Sequence, residues 1–136
     1  MFIWPSCLPA QVLFGIFYIM PLNFSSQEIV SRSKKFTVHD NNKEVGRAYL
    51  YILHNDLHQR PFGFIEDVFV EEEYRGQGVG SQLVKNMMEE ARKRNCYKII
   101  MTSRYSKPRV HALYEKLGFK DHGKEFRLDL EVKEVK

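Results

Sequence analysis

Cysteine is scarce in this chain, with Cys7 and Cys96 its only two among 136 residues. Two thiols so far apart exclude a disulfide-stapled scaffold and a cysteine-rich zinc module. Cys96 opens an apolar run of strand type, Tyr97 to Met101, and reads as a buried free thiol in a reducing cytoplasm. Charge is missing from the start of the chain: no Asp, Glu, Lys or Arg precedes Glu28. Without a basic n-region and a small-residue cleavage site, a secretory leader is not expected. Prolines at 5, 9 and 21 border and interrupt the apolar stretch Leu8 to Leu22, which falls short of the twenty or so uninterrupted residues of a membrane span. Two readings of this stretch stay open, a packed N-terminal arm and an over-extended start with initiation at Met20, with a membrane tether behind them. An apolar patch of that size is expected to be buried, against the domain or in a homodimer interface. The net charge of +4 is small and scattered, which excludes an extended nucleic-acid surface.

What is present suits one domain. At 43% apolar, the chain can bury a single core. The texture divides it into an atypical apolar segment, 1–34, and a regular domain, 35–136. Phe36 to His39 reads as a strand, Asp40 to Lys43 as a turn, and Glu44 to Leu53 as the hairpin partner. In that partner Tyr49 and Tyr51 share one face, and Ala48, Leu50 and Ile52 the other. A polar loop, His54 to Pro61, leads to a third strand, Phe62 to Val70. A helix is expected from about Gly78 to Arg94, because Val79, Leu83, Met87 and Ala91, with Val84 and Met88 beside them, make a buried stripe. Tyr97 to Ser103 reads as a strand and Pro108 to Leu117 as a helix, with proline in its first turn and Gly118 past its end. Phe126 to Val132 alternates as a last strand. The order gives an α/β, α+β layered fold with a mixed, mostly antiparallel sheet flanked by helices.

The stretch that carries chemistry is Val68-Phe69-Val70-Glu71-Glu72-Glu73-Tyr74-Arg75-Gly76-Gln77-Gly78-Val79-Gly80-Ser81. A strand runs into a loop with glycine at every second position and then into a helix. Glycines can take positive φ and have no Cβ, so their N–H groups can close around phosphate oxygens. The helix N-terminus aims its unpaired N–H groups at the same point. A dinucleotide fingerprint would want glycine where Ser81 stands, and a P-loop would want four residues between glycines followed by Lys-Ser or Lys-Thr. Neither is met.

Arg75-Gly76-Gln77-Gly78-Val79-Gly80 resembles the pyrophosphate-binding motif of the GNAT superfamily of acyl-CoA-dependent N-acyltransferases. Leu113-Tyr114-Glu115-Lys116-Leu117-Gly118-Phe119 is similar to that family's helix ending in Gly-Phe. Ile65-Glu66-Asp67-Val68 ahead of the loop is also similar to the glucosamine-6-phosphate N-acetyltransferase group, although the same tetrad occurs with other specificities. The resemblance covers roughly residues 35 to 130. It implies a GNAT-like fold with acetyl-CoA as cosubstrate, held by Val68, Phe69, Val70, Arg75, Gly76, Gln77, Gly78, Val79, Gly80 and Ser81. It also implies a small-molecule or peptide amine as acceptor. The family's two helices before the meander are shortened or atypical here, so a second copy of the chain is a candidate to complete the acceptor wall.

Acyl transfer to an amine needs a base, an oriented carbonyl and an acid for the leaving thiolate. For the carbonyl, the resemblance implies backbone N–H groups of Val68 to Val70. It implies Tyr114 as the acid, whose phenol has a basicity similar to that of a thiolate. Glu66 and Asp67 are the candidate bases, because a carboxylate in an apolar strand costs free energy unless it is paired or used. Alternation sends the two to opposite faces unless a bulge intervenes, and Glu66, sharing a face with Val68 and Val70, is preferred. His54 and His58 lack the glutamate and third ligand of a zinc site, so no metal is expected and they read as loop histidines near the acceptor mouth. Lys107 stands where many family members have asparagine, as a cofactor contact or a solvated lysine. An N-acetyltransferase acting by direct transfer is the expected function. A non-catalytic acyl-CoA-binding module, which needs neither Glu66 nor Tyr114, is the alternative.

Overall fold

The computed structural model describes residues 22–130. Its elements follow the order β1 (Arg32–Asp40), β2 (Lys43–Leu53), β3 (Phe62–Val70), α1 (Val79–Lys93), β4 (Ile99–Met101) and α2 (Pro108–Lys116). The sheet has the order β1-β2-β3-β4, with β1 and β3 antiparallel to β2 and β4 parallel to β3. Asp40 pairs with Lys43 across the first turn, where Asn41 takes a left-handed φ of 51°, a conformation that asparagine tolerates.

The alternation in β2 sorts its two faces as expected. Ala48, Leu50 and Ile52 are buried, while Tyr49 and Tyr51 stack on the other face with ring centroids 6.5 Å apart. Ile65 of β3 joins the buried set, and α1 lays Val84, Met87 and Ala91 onto it. Burying each large aliphatic side chain is worth roughly 1.5–3 kcal/mol, so this contact holds α1 to the sheet. Lys34 reaches from β1 to Glu90 of α1 at 3.1 Å.

Both helices end through backbone turns encoded locally. After α1, Asn95 takes φ 58°, the Cys96 N–H bonds Ala91 O and the Asn95 N–H bonds Arg92 O. After α2, Gly118 takes φ 95° and repeats the pattern, with the Phe119 N–H on Tyr114 O. That turn folds Phe119 back onto Tyr114, their ring centroids 6.1 Å apart.

Three expectations change. β4 is three residues long rather than running from Tyr97 to Ser103, because Cys96 is taken up by the α1 exit turn and Tyr97 bonds Pro61 O outside the ladder. Cys96 is therefore half-buried rather than in the core of a strand, and burial pushes its thiol up. The expected strand from Phe126 is absent as far as Leu130, and Phe126, Leu128 and Leu130 are 91%, 82% and 87% exposed. Alternation favours a strand only where an edge and an apolar surface receive it, and β4 has β3 as its one partner among the described residues. Cys7 and the stretch from Leu8 lie outside the described residues, apart from Leu22. Residues 22–31 form no helix or strand. Among the described residues no helix is long and apolar enough to cross a membrane.

Candidate active site

The site begins at an irregularity in β3. Ile65 pairs with Leu50 and Glu66 with Tyr49, but Phe69 then pairs with Arg47, so Asp67 and Val68 together face Ala48. This is a β-bulge, with Asp67 in the left-handed region at φ 49°. It reverses the parity on which the preference for Glu66 rested. Glu66 shares a face with Tyr49 and, beyond the bulge, with Phe69, while Val68 packs against the core. Asp67 reaches the same face as Glu66, because its Oδ2 accepts a 2.8 Å bond from Nε of Arg47. The Arg47 guanidinium also lies 4.7 Å from the centre of the Phe69 ring. Of the two carboxylates, Asp67 is engaged in an ion pair, and Glu66 is exposed beside it.

β3 and β4 pair only from Gly63↔Ile99 to Ile65↔Met101. Beyond this point a cleft of about 1310 Å³ opens, with Val68, Phe69 and Val70 on one wall and Met101, Thr102 and Ser103 on the other. Glu66 and Asp67 stand near the vertex. Tyr114 lines the cleft from α2, brought there across 48 residues of chain from Glu66. It is half-buried against the core, and burial pushes its phenol up, keeping the proton on at neutral pH.

At the other end of β3 the glycine loop forms a backbone cradle. Gly76 and Gly78 take φ 74° and 85°, a left-handed conformation that suits glycine and opens the loop. Gly78 is the N-cap of α1, and the first intrahelical bond joins the Gln82 N–H to its carbonyl. The N–H groups of Val79, Gly80 and Ser81 thus precede the helical ladder, and these residues line the cleft. Gly80 is helical rather than left-handed, and it faces Val70 at the end of β3.

Two expected ligands serve the loop itself. Nε of Arg75 donates to Val70 O at 2.9 Å, and Nε2 of Gln77 donates to Glu73 O at 2.9 Å. Arg75 still lines the cleft and Gln77 does not. Lys107 lines it as well, whereas His54 and His58 do not. The His58 ring lies against Tyr97 with centroids 4.3 Å apart and the planes tilted by 49°. Sequence reasoning missed Tyr74, Arg47, Arg104 and Arg109. For Arg104 and Arg109 a signal existed, the basic run Arg104 to Arg109; for Tyr74 and Arg47 there was none.

A parallel strand pair that splays beside a glycine loop and helix N-terminus defines an α/β protein with the build of an acyl-CoA-dependent transferase. The model of the acetyltransferase (GNAT) family matches residues 13–119, and the chain belongs to that family. It is 46% identical over 72 residues to glucosamine 6-phosphate N-acetyltransferase of Trypanosoma brucei brucei, covering 52% of this chain and 46% of that protein. It is 36% identical over 58 residues to thialysine N-epsilon-acetyltransferase of Bos taurus, covering 43% of this chain and 34% of that protein. The chain thus spans half the length of these curated relatives or less. Among solved structures, an acetyltransferase of Trypanosoma brucei matches with TM-score 0.63 and 38% identity, over 74% of this chain and 69% of that one.

Proposed function

We propose that the chain carries the catalytic domain, which includes β1 from Arg32, of an N-acetyltransferase that moves an acetyl group from acetyl-CoA directly to a primary amine. The observation that carries this reading is the single cleft on which the anion cradle, the free carboxylate Glu66 and the protonated phenol of Tyr114 all border. The cradle fits the cosubstrate, because the N–H groups of Val79, Gly80 and Ser81 and two left-handed glycines suit a pyrophosphate. Val68 to Val70, on the unpaired side of β3, suit an extended pantetheine arm.

In this reading Glu66 takes the proton of the attacking ammonium. The neutral amine nitrogen bonds to the thioester carbonyl carbon, the C–S bond breaks, Tyr114 gives its proton to the departing thiolate, and the second proton lost by the nitrogen restores the phenol. Asp67, held by Arg47, shapes the bulge and is not the base. Neither Cys96 nor any other nucleophile is invoked, so no acyl-enzyme forms. The acceptor is a small-molecule amine, a reading supported by relatives named for glucosamine 6-phosphate and thialysine. A homodimer in the cytoplasm is the proposed setting, with the second copy completing the acceptor wall that residues 22–31 leave without a helix.

The test is CoA release from acetyl-CoA with a panel of primary amines. Amine-dependent release supports the proposal. Tight CoA binding with no release on any amine would make the chain an acyl-CoA-binding module, and absence of binding would overturn the site.

A further inference from the structure

The cleft has two ends of opposite charge. Near its vertex stand Glu66 and Asp67, on the strand itself. From the turn after β4 and the start of α2 three cations line it, Arg104, Lys107 and Arg109, and Arg75 and Arg127 also line it. Because β3 and β4 are parallel, the loops that follow them leave the same end of the pair. The glycine loop follows β3, and the turn carrying Arg104 and Lys107 follows β4, so the cationic wall and the anion cradle share the mouth of the cleft.

This wall is built rather than incidental. Arg104 O accepts both the Lys107 N–H at 3.0 Å and a 3.0 Å bond from Nε2 of His111, and Lys107 O accepts the N–H groups of Val110 and His111. The backbone carrying the three cations is therefore a folded turn locked onto α2. Their side chains make no ion pair among the described residues, whereas other exposed cations do, including Lys34, Arg47, Arg94 and Arg127. Outside β3, Glu125 is the one acidic residue lining the cleft. Three like charges within six residues repel one another and favour a compact anion carrying more than one charge.

Resting on the acetyl-CoA reading above, we propose that Arg104, Lys107 and Arg109 form a phosphate-monoester site, distinct from the cradle that would hold the pyrophosphate. Guanidinium forks and an ammonium suit the terminal oxygens of a monoester, which carries close to two charges at neutral pH. Two sources of that group are chemically equivalent here, the 3′-phosphate of the cosubstrate and a phosphate on the acceptor amine. The shared mouth with the glycine loop favours the first.

The experiment compares CoA with 3′-dephospho-CoA by calorimetry, in the wild type and in an Arg104→Gln/Lys107→Gln/Arg109→Gln variant. The substitutions touch exposed side chains and leave the backbone turn intact; circular dichroism verifies the fold. The wild type should bind CoA roughly 10- to 100-fold more tightly than 3′-dephospho-CoA, the range expected of charge-assisted hydrogen bonds. The variant should lose that preference while holding 3′-dephospho-CoA as before. A second arm, at saturating CoA, compares glucosamine 6-phosphate with glucosamine. A preference appearing only there, and lost in the variant, supports the site and assigns the phosphate to the acceptor. No preference in either arm, or equal weakening of both nucleotides in the variant, overturns the proposal while the acetyl-CoA reading stands. Absence of binding by either nucleotide overturns that reading and this inference with it.

Discussion

Tyr74 donates its phenolic hydrogen to Oδ2 of Asp40 at 2.6 Å, tying the turn that opens the glycine loop to the turn between β1 and β2. The carboxylate holds the phenol in its protonated form and pushes its pKa up. A loop rich in glycine has many conformations to lose on binding, and this tie removes some of them in advance.

Tyr74→Phe should therefore weaken CoA binding several-fold while leaving the midpoint of thermal unfolding almost unchanged, because the pair lies outside the core. Calorimetry and a melting curve on the same preparation check this. Affinity equal to wild type would show that the tie has no part in ordering the loop.

The two kinds of glycine in the loop predict a contrast. Gly78→Ala puts a Cβ on a residue at φ 85°, at a cost of about 1–2 kcal/mol in folding stability, although no neighbouring atom lies within 4 Å of the new carbon. Gly80→Ala, in a helical conformation with Val70 at 3.7 Å, should be neutral or slightly stabilising. Gly78→Asp should abolish CoA binding by setting a carboxylate against the pyrophosphate. Chemical denaturation separates the alanine variants; unaltered CoA affinity in a folded Gly78→Asp protein would sink the assignment of the cradle.

Tyr114→Phe keeps the ring against Phe119 and removes only the proton. Acetyl-CoA affinity should hold while turnover falls by roughly 10²–10⁴-fold, as for a lost general acid. The same variant tests linkage. Burial raises the phenol's pKa in the folded chain, so above roughly pH 10 the unfolded chain releases its proton first and stability falls as pH rises. Tyr114→Phe should flatten that alkaline decline; an unchanged decline would mean that the phenol ionises equally in both states.

The bulge separates the roles of its two carboxylates. Glu66→Gln should lower turnover by roughly 10²–10⁴-fold, because the amide cannot accept the amine's proton. Asp67→Asn should lower it far less, since asparagine tolerates the left-handed conformation and loses only the ionic bond to Arg47. The reverse pattern would make Asp67 the base.

Much of the fold was legible because it is local. Alternation in β2, the four-residue stripe of α1, Pro108 opening α2 and Gly118 closing it each act over a few residues of backbone. The glycine loop was legible for the same reason, since positive φ at Gly76 and Gly78 is a property of those residues. The bulge at Asp67 was not legible, because it exists only where two residues of β3 meet the single Ala48 of β2, and strand register is set between chains of contacts far apart in sequence. It decides that Glu66 and Asp67 share a side, which alternation alone denies. Arg75 and Gln77 looked like ligands, yet the nearest acceptors for their side chains were carbonyls of their own loop. The tail from Phe126 to Leu130 carries the pattern of a strand without an edge to receive it. Sequence by itself determined the elements and the chemistry each could offer. Only the tertiary structure decided which groups meet, because the splay of β3 from β4 and the return of α2 bring Glu66, the glycine loop and Tyr114 to one cleft.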